Sequence, residues 1–137
     1  MLLNVILEGD IDLLEKLASH ILFLPANALE EASFKIIISS VLDTLQSNTY
    51  NFYQIKRAFE QGKGESLIAR RLSMLNSLKD KMIIRDITDT VFDISKELLK
   101  RFHLFPNDAV IAATCKHFGI PKIATFDGDF KLSESIF

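Results

Sequence analysis

Between residues 21 and 45 the chain changes its hydrophobic period, and this constrains the fold more than any other feature. Ile21 to Leu24 is an unbroken apolar run, too short for a buried helix and closed by Pro25. From Asn27 to about Leu45, apolar residues instead return at three- and four-residue steps: Leu29, Ala32, Ile36, Ile37, Val41 and Leu45. A buried strand feeding directly into a long amphipathic helix is one half of a βαβ unit, the building block of a parallel sheet covered by helices.

The same alternation continues along the chain. Leu2 to Leu7 is apolar except at Asn4 and reads as a strand, after which Asp10 or Asp12 caps a short helix through Ser19. Helices are expected at roughly 50–61 and 65–79, split by Gly62 and Gly64 into a helical hairpin. After the apolar step Met82 to Ile84, Thr88 caps a helix to about Phe102, with Val91, Ile94, Leu98 and Leu99 facing in. Asn107 or Asp108 opens a further helix to His117, ended by Gly119 as a left-handed residue. Lys122 to Phe126 reads as a strand running into the turn Asp127-Gly128-Asp129. No repeat, low-complexity tract or linker interrupts the 137 residues, so residues 1–137 read as one domain.

Composition narrows the class. Hydrophobic residues at 48% with charged residues at 25% describe a globular chain, not a disordered one. Cys115 stands alone, which excludes an internal disulfide, and no Cys/His spacing suits zinc. No apolar run approaches the roughly 18 residues of a membrane span, and the N-terminus lacks a basic signal-peptide region. The expected setting is cytoplasmic, without membrane.

Charge is unevenly placed. Residues 1–50 carry seven acids against two bases, residues 51–85 eight bases against three acids, and residues 86–137 eight acids against six bases. The basic middle is a phosphate-binding surface beside an acidic one, or an ordinary solvated hairpin; the pattern alone leaves both open.

Three acids fall after strands or at helix starts: Glu31, Asp108 and Asp127. Ligands of open α/β sheets bind at the carboxyl ends of strands. Carboxylates converging there repel one another unless a cation joins them. Oxygen-only ligands select Mg²⁺ or Mn²⁺ over zinc. Each acid also has an ordinary reading. Glu31 complements a helix dipole, or Glu30 is the inward one; Asp108 is a cap or first-turn acid; Asp127-Gly128 is a common turn pair. A Ca²⁺ loop starting at Asp127 fails the EF-hand spacing, because Leu132 occupies the position that needs glycine.

With their neighbours, these acids resemble the PIN-domain nucleases. Asn107-Asp108-Ala109-Val110-Ile111-Ala112-Ala113-Thr114 is similar to that family's third-acid motif, and Ile123-Ala124-Thr125-Phe126-Asp127-Gly128-Asp129-Phe130 to its fourth. Phe23-Leu24-Pro25 followed by Leu29-Glu30-Glu31-Ala32 resembles the strand and helix of the second acid, which falls on Glu31. The resemblance covers nearly the whole chain. It implies a three-layer α/β/α fold with a central parallel sheet of about four or five strands and a helical hairpin inserted at about 50–80. It also implies a divalent-metal-dependent ribonuclease in which Glu31, Asp108 and Asp127, with Asp129, hold Mg²⁺ or Mn²⁺, while Asn4 and Thr125 orient the carboxylates. RNA is the implied substrate, a homodimer the implied assembly, and an antitoxin protein the implied partner of those members that act as toxins.

The family's first motif, a strand ending in Asp followed by Thr or Ser and then Asn, fits Asn4-Val5-Ile6-Leu7 only in its later part. Leu2 then stands where the Asp belongs, and leucine ligates no metal. Three readings compete. The chain starts late; or it is a degenerate member that binds or assembles with little or no cleavage; or Leu2 to Leu7 acts as the central strand and brings Asp10 or Asp12 to its end. The scattered histidines, His20, His103 and His117, read as structural or exposed, and Cys115 as core.

Overall fold

The computed structural model describes residues 6–123, which divide into two compact units. Among the described residues, the first holds Phe23–Leu29 and residues 83–123; the second holds residues 6–22 together with Glu30–Met82.

In the first unit, strand β1 (Phe23–Pro25) pairs in parallel with β2 (Ile83–Arg85), Leu24 standing opposite Ile84. Parallel pairing of strands so far apart in sequence makes this an α/β fold. Among the described residues the sheet has these two strands; of the expected four or five, the one at Lys122 to Phe126 lies mostly outside the described residues, and Lys122 and Ile123 themselves are irregular. The observed strand starts two residues later than the run Ile21 to Leu24 and ends one residue later. Ile21 is 78% exposed, and Pro25 belongs to the strand instead of stopping it. At the last ladder position proline's fixed φ is tolerated and its missing N–H costs little.

Helix α2 (Ala26–Leu45) follows β1 without a loop, its first four residues belonging to this unit and the rest to the second. Two later helices, α5 (Asp89–Phe102) and α6 (Pro106–Phe118), complete this unit. Thr88 caps α5, its hydroxyl accepting from the Val91 amide at 3.2 Å. Pro106 opens α6 at the position where its missing N–H has no intrahelical partner to lose. Gly119 ends α6 at φ 65°, as expected of a left-handed terminator. Val91, Leu98 and Leu104 pack against Ala109, Ala112 and Ala113, the three alanines being wholly buried. Leu99 does not join them: it is 36% exposed, and Ser95 turns inward in its place. Arg85 of β2 links strand and helix, its guanidinium 5.3 Å from the Phe23 ring centroid and 4.7 Å from that of Phe118.

The second unit is helical. Asp10 caps α1 (Ile11–Ala18), accepting from the Leu13 amide at 3.0 Å. Ahead of it, residues 6–8 are helical, so the strand expected over Leu2 to Leu7 does not extend through Ile6 and Leu7; its earlier residues lie outside the described ones. The hairpin is present as α3 (Phe52–Glu60) and α4 (Glu65–Lys79). Asn51 and Gln54 start α3 with a reciprocal capping box. Val41 of α2, Ile55 of α3 and Ile68 of α4 form the shared core. Arg71, mostly buried, donates to the buried Ser40 hydroxyl at 2.9 Å and pairs with Asp43 at 2.8 Å, fixing α4 on α2. Gly64, at φ 78°, lets α4 start against α2: a Cβ there would meet Thr44 Oγ1 at 3.1 Å and the Ser40 carbonyl at 3.2 Å.

Among the described residues no helix is long and apolar enough to cross a membrane.

Candidate metal site

Asp108 owes its position to the packing of α6. A stripe of small residues, Ala109, Ala112, Ala113 and Thr114, is completely buried, and small side chains let a helix pack closely on its neighbours. Thr114 satisfies its buried hydroxyl by donating to the Val110 carbonyl at 2.8 Å. The half-buried Asp108 sits in the first turn, where the uncapped amides and the helix dipole favour a negative charge. It is not the cap itself, since Phe105 occupies that position without a side-chain bond.

Glu31 lies in the second turn of α2, beyond the carboxyl end of β1. Its side chain is 33% exposed and takes an ion pair from Lys35 Nζ at 2.6 Å; Glu30 beside it is exposed. The i, i+4 order, Glu before Lys, is the favourable one on a helix, and that spacing was the signal from which Lys35 could have been found.

A long-range contact joins the starts of α2 and α6. Asn27 Nδ2 donates to the Asn107 carbonyl at 3.4 Å, beside Asp108. The other amide atom, Asn27 Oδ1, is buried with no hydrogen-bond partner. An orphaned acceptor of this kind is costly unless something donates to it or a cation meets it. Nothing in the sequence pairs residues 27 and 107, which are 80 positions apart. Asp108 and the Asn27 amide in the first unit, and Glu31 in the second, each offer oxygen donors of the kind a hard divalent cation takes.

Asp127, Asp129, Thr125 and Asn4 lie outside the described residues. Among the described residues no group of three or more His, Cys, Asp or Glu side chains could hold a metal. Asp10, an alternative first acid, has its carboxylate engaged as the cap of α1, and the strand that would have delivered it does not run to Leu7. Cys115 is buried and its thiol is pushed up to about 11 by desolvation, so it is no nucleophile at neutral pH. His20, His103 and His117 are exposed.

Comparison with known proteins places these residues in a wider context. Ribonuclease VapC2 of Methanocaldococcus jannaschii is 38% identical over 98 residues, covering 70% of this chain and 62% of the relative. Ribonuclease VapC6 of the same organism is 45% identical over 58 residues, 38% of each chain. The matches thus span less than two thirds of the relatives' own lengths. No solved structure matches. The sequence model of the PIN domain family matches residues 7–133, a stretch that takes in Glu31, Asp108, Asp127 and Asp129 and leaves Leu2 and Asn4 ahead of it. The chain belongs to the PIN domain family.

Proposed function

We propose that the protein is a divalent-metal-dependent ribonuclease, and that residues 1–137 act as one PIN-like domain with the fuller, four- or five-stranded sheet of the family. The observation that carries this reading is the family match over residues 7–133, which runs through both units and contains every acid of the candidate site. The names of the two ribonuclease relatives support the choice of RNA. An antitoxin partner, a homodimer and a cytoplasmic setting belong to the same reading through the family resemblance.

In this mechanism Glu31, Asp108 and Asp127 would hold Mg²⁺ or Mn²⁺, with Asp129 in support. When bound, the ion supplies a water of lowered pKa and neutralises charge on the phosphate. The chain's own part is orientation. The N-terminus of α6 fixes Asp108, and Asn27 steadies the backbone next to it through the Asn107 carbonyl. Asn27 and Glu31 are four residues apart on α2 and so share a face. Lys35 pairs with Glu31 and offsets its charge. Thr125 and Asn4 would orient the carboxylates by hydrogen bonding.

A second reading follows from Leu2, which stands where the family's first acid is expected: a degenerate PIN-like module that binds without cutting. Incubation of single-stranded RNA with the protein separates the two. The nuclease reading expects slow cleavage with Mn²⁺, slower with Mg²⁺, none in EDTA and none with Asp108→Asn. Cleavage that survives EDTA and Asp108→Asn alike sinks it. Mn²⁺ binding by calorimetry without any cleavage leaves the binding module.

A further inference from the structure

The exposed side of α3 interleaves aromatic and basic side chains, and it borders the helix that carries Glu31. Phe52, Lys56 and Phe59 follow one another at four- and three-residue steps along one stripe of α3; Tyr53 and Arg57 form the adjacent stripe. The buried Ile55 adjoins Phe52 and Phe59 on the helix surface, so those two rings stand at the margin of the buried side, while Tyr53 and Arg57 lie across from it. Phe52 is 51% exposed, Tyr53 80% and Phe59 41%, values far outside a core. From α2, Phe34 adds a fourth ring, 51% exposed and 6.2 Å from Phe52 centroid to centroid; Tyr53 stands edge-on to Phe52 at 6.0 Å. Phe34 is three residues beyond Glu31 on α2, so the ring and the candidate ligand are neighbours on the helix surface.

We propose that this surface is a stacking platform that leads single-stranded RNA toward Glu31; it rests on the ribonuclease reading above and gives that substrate its path over this chain. Exposed rings alternating with cations are what sequence-tolerant binding of single strands requires, the rings taking bases and the cations taking phosphates. A duplex keeps its bases stacked on one another and offers no faces to these rings. A protein partner fits less well, because lysine is depleted in protein interfaces whereas phosphate contacts use it freely. Lys56 is available for the purpose: its pairing with Glu60 is loose, 3.7 Å between two side chains about 60% exposed, and exchanges readily for phosphate. The wider hairpin supports the charge argument, with eight bases against three acids over residues 51–85.

The test is RNA binding by the full chain in EDTA, so that affinity is read without cleavage. A fluorescein-labelled oligouridylate is the probe, followed by anisotropy, with quenching of the chain's own tyrosine emission as a second signal; the chain has no tryptophan and two tyrosines, Tyr50 and Tyr53, so the part of the quenching lost in Tyr53→Phe reports on the platform. Tyr53→Ala should weaken binding by roughly five-fold or more, while Tyr53→Phe keeps it. Lys56→Ala with Arg57→Ala should flatten the dependence of log K on log salt by about 0.7 for each charge removed. Duplex RNA of equal length should bind more weakly than the single strand. Tyr53→Ala binding like the parent, or duplex binding as well as single strand, overturns the platform. So does a sedimentation result in which Tyr53→Ala dissociates a dimer and leaves RNA affinity unchanged, which would assign the surface to a second copy. The two proposals fail separately: binding with these signatures but no Mn²⁺-dependent cleavage removes the nuclease reading and keeps the platform, whereas cleavage with an indifferent Tyr53→Ala does the reverse.

Discussion

Lys35 Nζ lies 2.6 Å from Glu31 Oε1, one turn further along the same helix. An exposed i, i+4 pair contributes only about 0.3–0.5 kcal/mol to stability, so Lys35→Met should leave the denaturation midpoint nearly unmoved. A cation next to a metal ligand repels the metal. Removing it should raise Mn²⁺ affinity about three- to ten-fold at low salt, and less at high salt. Calorimetric titration of both forms checks this; an unchanged affinity means Glu31 is not a ligand.

The capping role of Asp10 gives a second test. Asp10→Asn keeps an equally good cap and removes only the charge, so neither stability nor cleavage should change appreciably. Asp10→Ala should cost about 1 kcal/mol in α1 while cleavage persists. Loss of cleavage in Asp10→Asn would return Asp10 to the metal site. Leu2→Asp, in contrast, should raise Mn²⁺ affinity and rate if Leu2 stands in the lost ligand position.

The helices were legible because their signals are local. Thr88 before α5 and Gly119 after α6 mark boundaries by hydrogen bonding and by backbone conformation, which need no knowledge of the partner helix. Strand limits were less so. Ile21 and Leu24 are equally apolar, yet one is exposed and the other buried; that difference comes from where β2 pairs, a fact of tertiary structure. Leu99 fails for the same reason, since period alone cannot choose between neighbouring positions at the margin of a helix face. In the site, the spacing of Glu31 and Lys35 can be read directly, whereas the Asn27 to Asn107 contact exists only once the two helix starts meet.

Cys115 links stability to alkaline pH. Burial pushes its thiol up to about 11 from the ordinary 9.0, so the native state holds its proton where the unfolded chain has lost it. Stability from this residue is complete below about pH 9 and is lost as pH rises toward 11, by at most about 3 kcal/mol. Urea melts across that window should show the decline, and Cys115→Ala should flatten it. Alkylation by iodoacetamide at neutral pH should be slow until the protein unfolds.

Two glycines in one turn should respond differently. Gly62 and Gly64 both have positive φ, but an added Cβ at Gly62 finds its nearest neighbour at 4.0 Å. Gly62→Ala should therefore cost only the left-handed strain, about 1–2 kcal/mol. Gly64→Ala adds contacts at 3.1 and 3.2 Å with Thr44 and the Ser40 carbonyl, and should cost clearly more. Thermal melts of the two variants give the comparison directly; equal costs would mean that α2 and α4 can part without penalty.

The buried alanines of α6 also decide which experiments can see this site. Truncation to alanine is the usual way to find the residues that hold a functional group in place, yet Ala109, Ala112 and Ala113 are already alanine and already fully enclosed. Such a scan would pass over the stretch that positions Asp108 and score it as silent. Enlargement is the informative direction: one or two added methyl groups at Ala112 must displace the helix, since close-packed interiors have no room to absorb them. Sensitivity maps built from all substitutions would show a sharp ceiling on side-chain volume here, and maps built from deletions of atoms would show nothing.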